Sequence, residues 1–97
     1  MTDKRILGIG VISLGWMGRL HARSYRAIAE RFPELGVVPR LVAAADPVDQ
    51  VRQEAVDNLG FERAYADYHD LLADPEVEAV SICAPNFLHH EMALAAV

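Results

Sequence analysis

Residues 6–18 have the sequence Ile-Leu-Gly-Ile-Gly-Val-Ile-Ser-Leu-Gly-Trp-Met-Gly. The first seven are almost all apolar, which is typical of a strand covered on both faces of a parallel sheet. Residues 16–31 then follow a helical pattern, with two glycines, Gly15 and Gly18, where the strand must turn into the helix. One side of this helix carries Met17, Leu20, Ser24, Ile28 and Phe32. A strand, a glycine turn and a helix in this order begin a doubly wound α/β sheet.

The rest of the chain repeats the alternation of strand and helix. Further strands are predicted at residues 41–45, 63–66 and 77–84, and residues 32–39 are predicted to form a loop. Further helices are predicted at 48–59, at 68–72 after an N-cap at Asp67, and from Phe87 onward after an N-cap at Asn86. This rhythm predicts parallel pairing with right-handed crossovers. We therefore expect an incomplete doubly wound sheet with strand order 3-2-1-4.

Composition and charge exclude several classes of protein. With 53% hydrophobic and 24% charged residues among 97, the chain can bury a core without disulfides, and the single Cys83 favours a reducing compartment. A net charge of −5 with scattered basic residues argues against a nucleic-acid partner. No apolar run approaches the ~20 residues of a membrane span. Asp3, together with Gly8 and Gly10 inside the apolar run of residues 6–14, argues against a signal peptide. The sequence predicts a cytoplasmic protein.

The turn after the first strand departs from the dinucleotide-binding pattern Gly-x-Gly-x-x-Gly at one position. Gly15 and Gly18 stand at its second and third glycines, but Ser13 stands at the first. An NTPase phosphate loop is set aside because Trp16 and Met17 replace its Lys-Ser/Thr pair. Two interpretations stay open: glycines that serve packing alone, or a degenerate dinucleotide turn at a helix N-terminus.

Asp46 closes the second predicted strand and favours the dinucleotide interpretation. An acidic side chain at this place accepts hydrogen bonds from the adenosine ribose, although Asp46 follows Gly18 by 28 residues rather than about 20. The alternative is that Asp46 caps the second helix, with Pro47 at the first helical position. Because no arginine follows Asp46 before Arg52, ribose contact would favour NAD over NADP.

Three stretches carry a resemblance to a known family. Residues 10–22 contain the glycine turn followed by Gly-x-x-His-Ala, residues 74–82 approach the fourth strand, and residues 84–89 follow it, continuing with Ala93 and Ala96. Together they resemble the N-terminal part of the glucose–fructose oxidoreductase, inositol dehydrogenase and rhizopine-catabolism (Gfo/Idh/MocA) family. The resemblance spans essentially the whole chain in the right order.

The resemblance implies an NAD(P)-dependent oxidoreductase that acts on a sugar, a polyol or a related small hydroxyl compound. Residues 1–97 would be the N-terminal part of its Rossmann domain, without the C-terminal substrate domain, and assembly into a homo-oligomer stays open. Of the two cofactors, Asp46 favours NAD over NADP. The implied cofactor-binding residues are Ser13, Leu14, Gly15, Trp16, Met17, Gly18, Asp46, Pro85, Asn86 and His89, the last three near the nicotinamide ribose.

Neither a catalytic residue nor a metal site is expected in this chain. The family's catalytic Glu-Lys-Pro motif would follow the Ala93–Ala96 segment, and the only lysine here is Lys4. His89 and His90 are adjacent and would point about 100° apart on a helix, with no third ligand nearby in sequence. Cys83 is expected to be a small core residue. The alternative to an inactive oxidoreductase fragment is a non-catalytic nucleotide-binding or interaction module of the same fold.

Overall fold

The structure, a computed structural model, describes residues 5–97; residues 1–4, with Asp3 and Lys4, lie outside the described part. Four strands form one parallel sheet in the order β3-β2-β1-β4. The strands are β1 (Arg5–Ile12), β2 (Val37–Ala45), β3 (Arg63–Tyr65) and β4 (Ala79–Ile82). The helices are α1 (Trp16–Arg31), α2 (Asp49–Asp57), α3 (Tyr68–Leu72) and α4 (Asn86–Ala96), with a 3₁₀ turn at Pro33–Leu35. The predicted doubly wound α/β fold, with order 3-2-1-4, is confirmed.

Helices cover both faces of the sheet, which explains why β1 and β2 are apolar at almost every position. Ile9 and Val11 of β1 pack in one core with Ala22 of α1 and Ala55 of α2. On the opposite face, Ile12 packs with side chains of α3 and α4. Successive strand residues face opposite sides, so a sheet buried on both sides needs continuous apolar strands.

Several element boundaries differ from those expected. β2 begins at Val37 rather than at Leu41, so the loop before it is shorter than predicted. Its first residues are half-buried and pair only with β1, because β3 begins opposite Ala43; such a one-sided segment tolerates Pro39. β3 and β4 are shorter than the predicted 63–66 and 77–84.

The N-terminal caps were predicted with mixed success. Asp67 accepts a hydrogen bond from the backbone N–H of His69 at 2.9 Å, so its role as the α3 cap is confirmed. The cap predicted at Asn86 is wrong, because α4 already includes Asn86 and Pro85 is the N-cap. A helix tolerates this arrangement because its first N–H groups have no intrahelical acceptor in any case.

The side of α1 that faces the core is not the apolar side that the sequence suggests. Met17 and Leu20 are 42% and 45% exposed, and Phe32 is also exposed. The buried face instead carries small residues, Gly18 and Ala22. Small side chains allow the helix to approach the sheet closely, which apolar spacing alone does not reveal.

No helix within residues 5–97 has both the length and the hydropathy needed to cross a membrane.

Candidate functional site

A cleft of about 870 Å³ lies at the carboxyl ends of the strands. It is placed where β1 is flanked by β2 on one side and β4 on the other, the point at which the chain reverses its direction of strand addition. Open α/β sheets bind their ligands at this point. The lining includes Ser13 and Gly15 after β1, Asp46 and Pro47 after β2, Asp67 and Tyr68 around the end of β3, and Cys83, Ala84 and Pro85 after β4.

The turn after β1 places Ser13 in the left-handed region, with φ +77°. Its backbone N–H donates to the Ala45 carbonyl at 2.7 Å, which joins the turn to the end of β2. This conformation favours glycine, because a side chain at positive φ crowds the following carbonyl. The chain therefore keeps the backbone shape that the first glycine of the motif serves, but with a serine.

The space beside the two glycines of the turn differs: it is closed at Gly18 and open at Gly15. A Cβ on Gly18 would lie 2.0 Å from the carbonyl oxygen of Ser13, so only glycine lets α1 begin this close to the strand. A Cβ on Gly15 would meet no atom of the described residues within 4 Å. Packing of the chain therefore does not require Gly15, and the open space beside it adjoins the cleft. A ligand that approaches the backbone closely fits this arrangement.

The N-terminus of α1 offers unpaired donors. Within residues 5–97 the backbone N–H groups of Gly15, Trp16, Met17 and Gly18 have no hydrogen-bond acceptor, and the first bond is from Arg19 N–H to the Gly15 carbonyl at 3.1 Å. The first turn contains no acidic residue and no side-chain cap. Free N–H groups and the positive end of the helix dipole together favour an anion such as a phosphate.

Asp46 is buried at 8% exposure, and each of its carboxylate oxygens accepts a backbone hydrogen bond. One oxygen accepts from Leu14 N–H at 3.0 Å and the other from Val48 N–H at 2.9 Å. The predicted alternative, a helix cap with Pro47 as the first helical residue, is wrong because α2 begins at Asp49. Asp46 instead forms an Asx turn before the helix. An ionised carboxylate has about four acceptor positions, so both oxygens retain capacity for a ligand hydroxyl.

The residues after β4 are only partly brought to the cleft. Pro85 lines it, whereas Asn86 is exposed and does not belong to its lining. The half-buried ring of His89 also lies outside the lining, and its Nε2 donates to the Ala84 carbonyl at 2.6 Å. Trp16 is 76% exposed and does not belong to the cleft lining.

Sequence reasoning did not assign Asp67, Tyr68 or Arg19 to the site. Asp67 and Tyr68 line it from the end of β3, and strand order alone could have indicated them. Arg19 donates from Nε to the Leu14 carbonyl at 3.2 Å, behind the turn. Cys83 borders the cleft beside the core, and burial raises the pKa of its thiol, which weakens it as a nucleophile.

A separate charged cluster lies toward the amino ends of the strands. The nearly fully buried carboxylate of Asp74 accepts from Arg63 Nε at 2.7 Å and from the Tyr65 hydroxyl at 2.9 Å. The Arg63 guanidinium holds the pKa of Asp74 well below its usual range. These partners satisfy the charges, so we assign the cluster a structural role. Across the described part of the chain, no group of three His, Cys, Asp or Glu side chains could hold a metal ion.

The parallel sheet, the cleft at its switch point and the glycine turn define an NAD-binding Rossmann domain. The chain belongs to the Gfo/Idh/MocA family, since the model of this oxidoreductase family with an NAD-binding Rossmann fold matches residues 7–97. The resemblance identified from the sequence is thereby confirmed, as is NAD as the cofactor of the domain.

Relatives of known activity are sugar and inositol dehydrogenases. The chain is 35% identical over 92 residues to levoglucosan dehydrogenase of Pseudarthrobacter phenanthrenivorans, covering 93% of this chain and 23% of the relative. It is 36% identical over 87 residues to myo-inositol 2-dehydrogenase of Thermotoga maritima, covering 90% and 24%. The chain thus spans about a quarter of the length of these relatives.

Solved structures similar to this chain are also oxidoreductases. An NAD binding oxidoreductase from Klebsiella pneumoniae matches with a TM-score of 0.86 at 43% identity, covering 93% of this chain and 24% of that one. Levoglucosan dehydrogenase in complex with NADH matches with a TM-score of 0.89 at 33% identity, covering 95% and 25%.

Proposed function

We propose that the cleft binds NAD, and that residues 1–97 are the N-terminal part of the cofactor domain of a dehydrogenase acting on a sugar, a polyol or a related hydroxyl compound. The observation that carries this proposal is the turn itself. A left-handed Ser13, a closely packed Gly18 and an unobstructed Gly15 stand at the switch point of the sheet, beside unpaired N–H groups. The named activities of the relatives support the substrate class.

The pyrophosphate of NAD would lie at the N-terminus of α1, where the N–H groups of Gly15 to Gly18 donate to it. Ser13 lines the same cleft, and its hydroxyl would add a donor. Asp46 would accept from the adenosine ribose with the acceptor positions that Leu14 and Val48 leave free. The nicotinamide half would extend toward Pro85, with Asn86 and His89 beyond it.

NAD, when bound, supplies the group that accepts or donates a hydride, and this chain's residues bind and orient it. The catalytic lysine that the family resemblance implies is not among residues 1–97, whose only lysine is Lys4, and we assign no proton-transferring residue here.

The surroundings of Asp46 favour NAD over NADP. A 2′-phosphate would bring negative charge against the carboxylate and remove the hydroxyl that donates to it. Arg52, the nearest following arginine, already donates from Nη1 to the Asp46 carbonyl at 2.9 Å and from Nη2 to the Asp49 carboxylate at 3.0 Å. Its guanidinium is thus engaged rather than free to hold a phosphate.

Calorimetric titration of the 97-residue chain tests the proposal. NADH, NADPH and adenosine are titrated separately, and we expect one site with NADH bound more tightly than NADPH. Adenosine should bind more weakly than NADH because it lacks the pyrophosphate. Absence of NADH binding would refute the proposal, and equal binding of NADH and adenosine would favour a nucleotide module that does not use the turn.

A further inference from the structure

We propose that Arg19 and Glu54 are positioning residues for the dinucleotide: they fix the peptide between Leu14 and Gly15 so that its N–H faces the pyrophosphate. This inference rests on the proposed function, since it needs a dinucleotide at the turn. It adds a pair of side chains that lies behind the cleft and does not belong to its lining.

Two side chains, one following β2 and one from α1, hold both polar backbone atoms of Leu14. Its N–H donates to Asp46, and its carbonyl accepts from Arg19 Nε at 3.2 Å. The Leu14 side chain is itself fully buried in the core. The backbone at Leu14 is therefore constrained on both sides and by its side chain.

This constraint determines the direction of the next N–H group. In a planar trans peptide the carbonyl and the following N–H point in opposite directions. Because the Leu14 carbonyl points to Arg19, the Gly15 N–H points away from Arg19. Gly15 lines the cleft, and its N–H has no acceptor among residues 5–97. The arrangement leaves this donor available to an anionic ligand before any ligand binds.

Glu54 of α2 fixes Arg19 in turn. Both carboxylate oxygens accept from the guanidinium, and the Nη2 to Oε2 distance is 2.9 Å. The Arg19 hydrogen bonds lower the pKa of Glu54, so this carboxylate is ionised at neutral pH. A two-point contact of this kind fixes the plane of the guanidinium and hence the direction of Nε. Since both side chains are about one-third exposed, the pair adds little to stability, which favours a positioning role.

Two substitutions test the pair, and one provides a matched control. Arg19→Met removes the donor to Leu14 and keeps much of the aliphatic stem, whereas Glu54→Gln removes the anchoring charge. Arg40→Met is the control, because the Arg40 side chain also makes a two-point contact, with Glu62, and is 37% exposed, but lies away from the turn; it makes one further bond, to Glu76 at 2.8 Å. Dissociation constants for NADH and for adenosine are measured on each variant of the 97-residue chain, with urea midpoints on the same samples.

We expect both substitutions to weaken the binding of NADH, which contains the pyrophosphate, and not the binding of adenosine, which lacks it. NADH should bind about tenfold more weakly to Arg19→Met and about threefold more weakly to Glu54→Gln, a partial loss of one charge-assisted hydrogen bond. Adenosine affinity should stay within twofold, so the ratio of the two constants changes, which a merely structural effect would not produce. Arg40→Met should leave this ratio unchanged.

The outcomes distinguish the inference from the proposed function. If the unsubstituted chain does not bind NADH, the proposed function fails and the inference fails with it. If it binds NADH and the affinity ratio is the same in all variants, the inference alone is wrong. If Arg19→Met does not fold, the ratio of the NADH and adenosine dissociation constants in Glu54→Gln decides between these outcomes. Glutamine keeps the shape of the glutamate side chain, so this variant is expected to fold.

Discussion

Replacing Ser13 by glycine should stabilise the fold. At φ +77° a non-glycine residue carries a backbone strain of about 1–2 kcal/mol. Glycine removes this strain but gives the unfolded chain more freedom, which offsets about 0.5–1 kcal/mol of the gain. We therefore expect Ser13→Gly to raise the free energy of unfolding by about 1 kcal/mol. For a domain of this size that is a rise of roughly 4–8 °C in Tm.

Thermal and urea unfolding followed by circular dichroism measure this effect. Ser13→Ala is the control, because alanine removes the hydroxyl and keeps the Cβ, and it should be no more stable than the unsubstituted chain. A Ser13→Gly chain that is equally or less stable would show that the serine is not strained in its turn. The same substitution should tighten NADH binding several-fold if the strain opposes the bound form; weaker binding would mean that the hydroxyl donates to the phosphate.

Four other results are expected. Gly18→Ala should cost about 2–3 kcal/mol of stability in urea unfolding, because its Cβ would lie 2.0 Å from the Ser13 carbonyl oxygen; an unchanged midpoint would contradict the packing described. Asp74 has a lowered pKa in the folded chain, so its stabilising contribution is present above the unfolded pKa of about 3.9 and is lost as the pH falls below that value. Asp74→Asn should flatten the dependence of the urea midpoint on pH between pH 5 and 2, roughly the window of this titration, and an unaltered dependence would assign acid unfolding to other carboxylates. Asp46→Ala should weaken NAD binding roughly ten- to hundredfold in calorimetry and NADP binding much less, whereas equal losses would mean that Asp46 only supports the turn. The 97-residue chain alone should reduce no NAD with any polyol in an absorbance assay, and turnover would show that a residue of this chain transfers the proton.

The order and type of the elements were predictable because β1 and the second half of β2 are continuous apolar runs, and the segments between the strands have the spacing of helices. The ends of the strands and helices were harder to predict where only one side of the segment is buried. The start of β2 at Val37 was missed because its first residues are half-buried and include Pro39, which usually indicates a loop. The core-facing side of α1 was also missed, since its close contact depends on Gly18 and Ala22 rather than on large apolar residues.

The candidate site was predictable in part for a similar reason. The glycine turn has a fixed spacing and Asp46 closes the second strand, so the sequence indicates both, although Asp46 lies 28 residues after Gly18 rather than about 20. The sequence alone does not show which backbone groups already donate to the carboxylate oxygens of Asp46. Asp46 was expected either to contact ribose or to cap a helix. It does not cap α2 but accepts from the backbone N–H groups of Leu14 and Val48, and the ribose contact, for which acceptor positions remain, stays a prediction. The contact between Arg19 and Glu54 joins residues 35 apart and depends on how α1 and α2 pack.

The most direct test of NAD binding at this turn is a ¹H–¹⁵N correlation spectrum of the chain during titration with NADH. We expect saturable shifts of the backbone amides of Gly15, Trp16, Met17 and Gly18, with smaller shifts at Asp46 and Val48. The amides of Arg63 and Glu76, in the cluster at the opposite edge, should not move. Shifts at that opposite edge instead, or none at the turn under saturating NADH, would contradict the assignment of the cleft as the dinucleotide site.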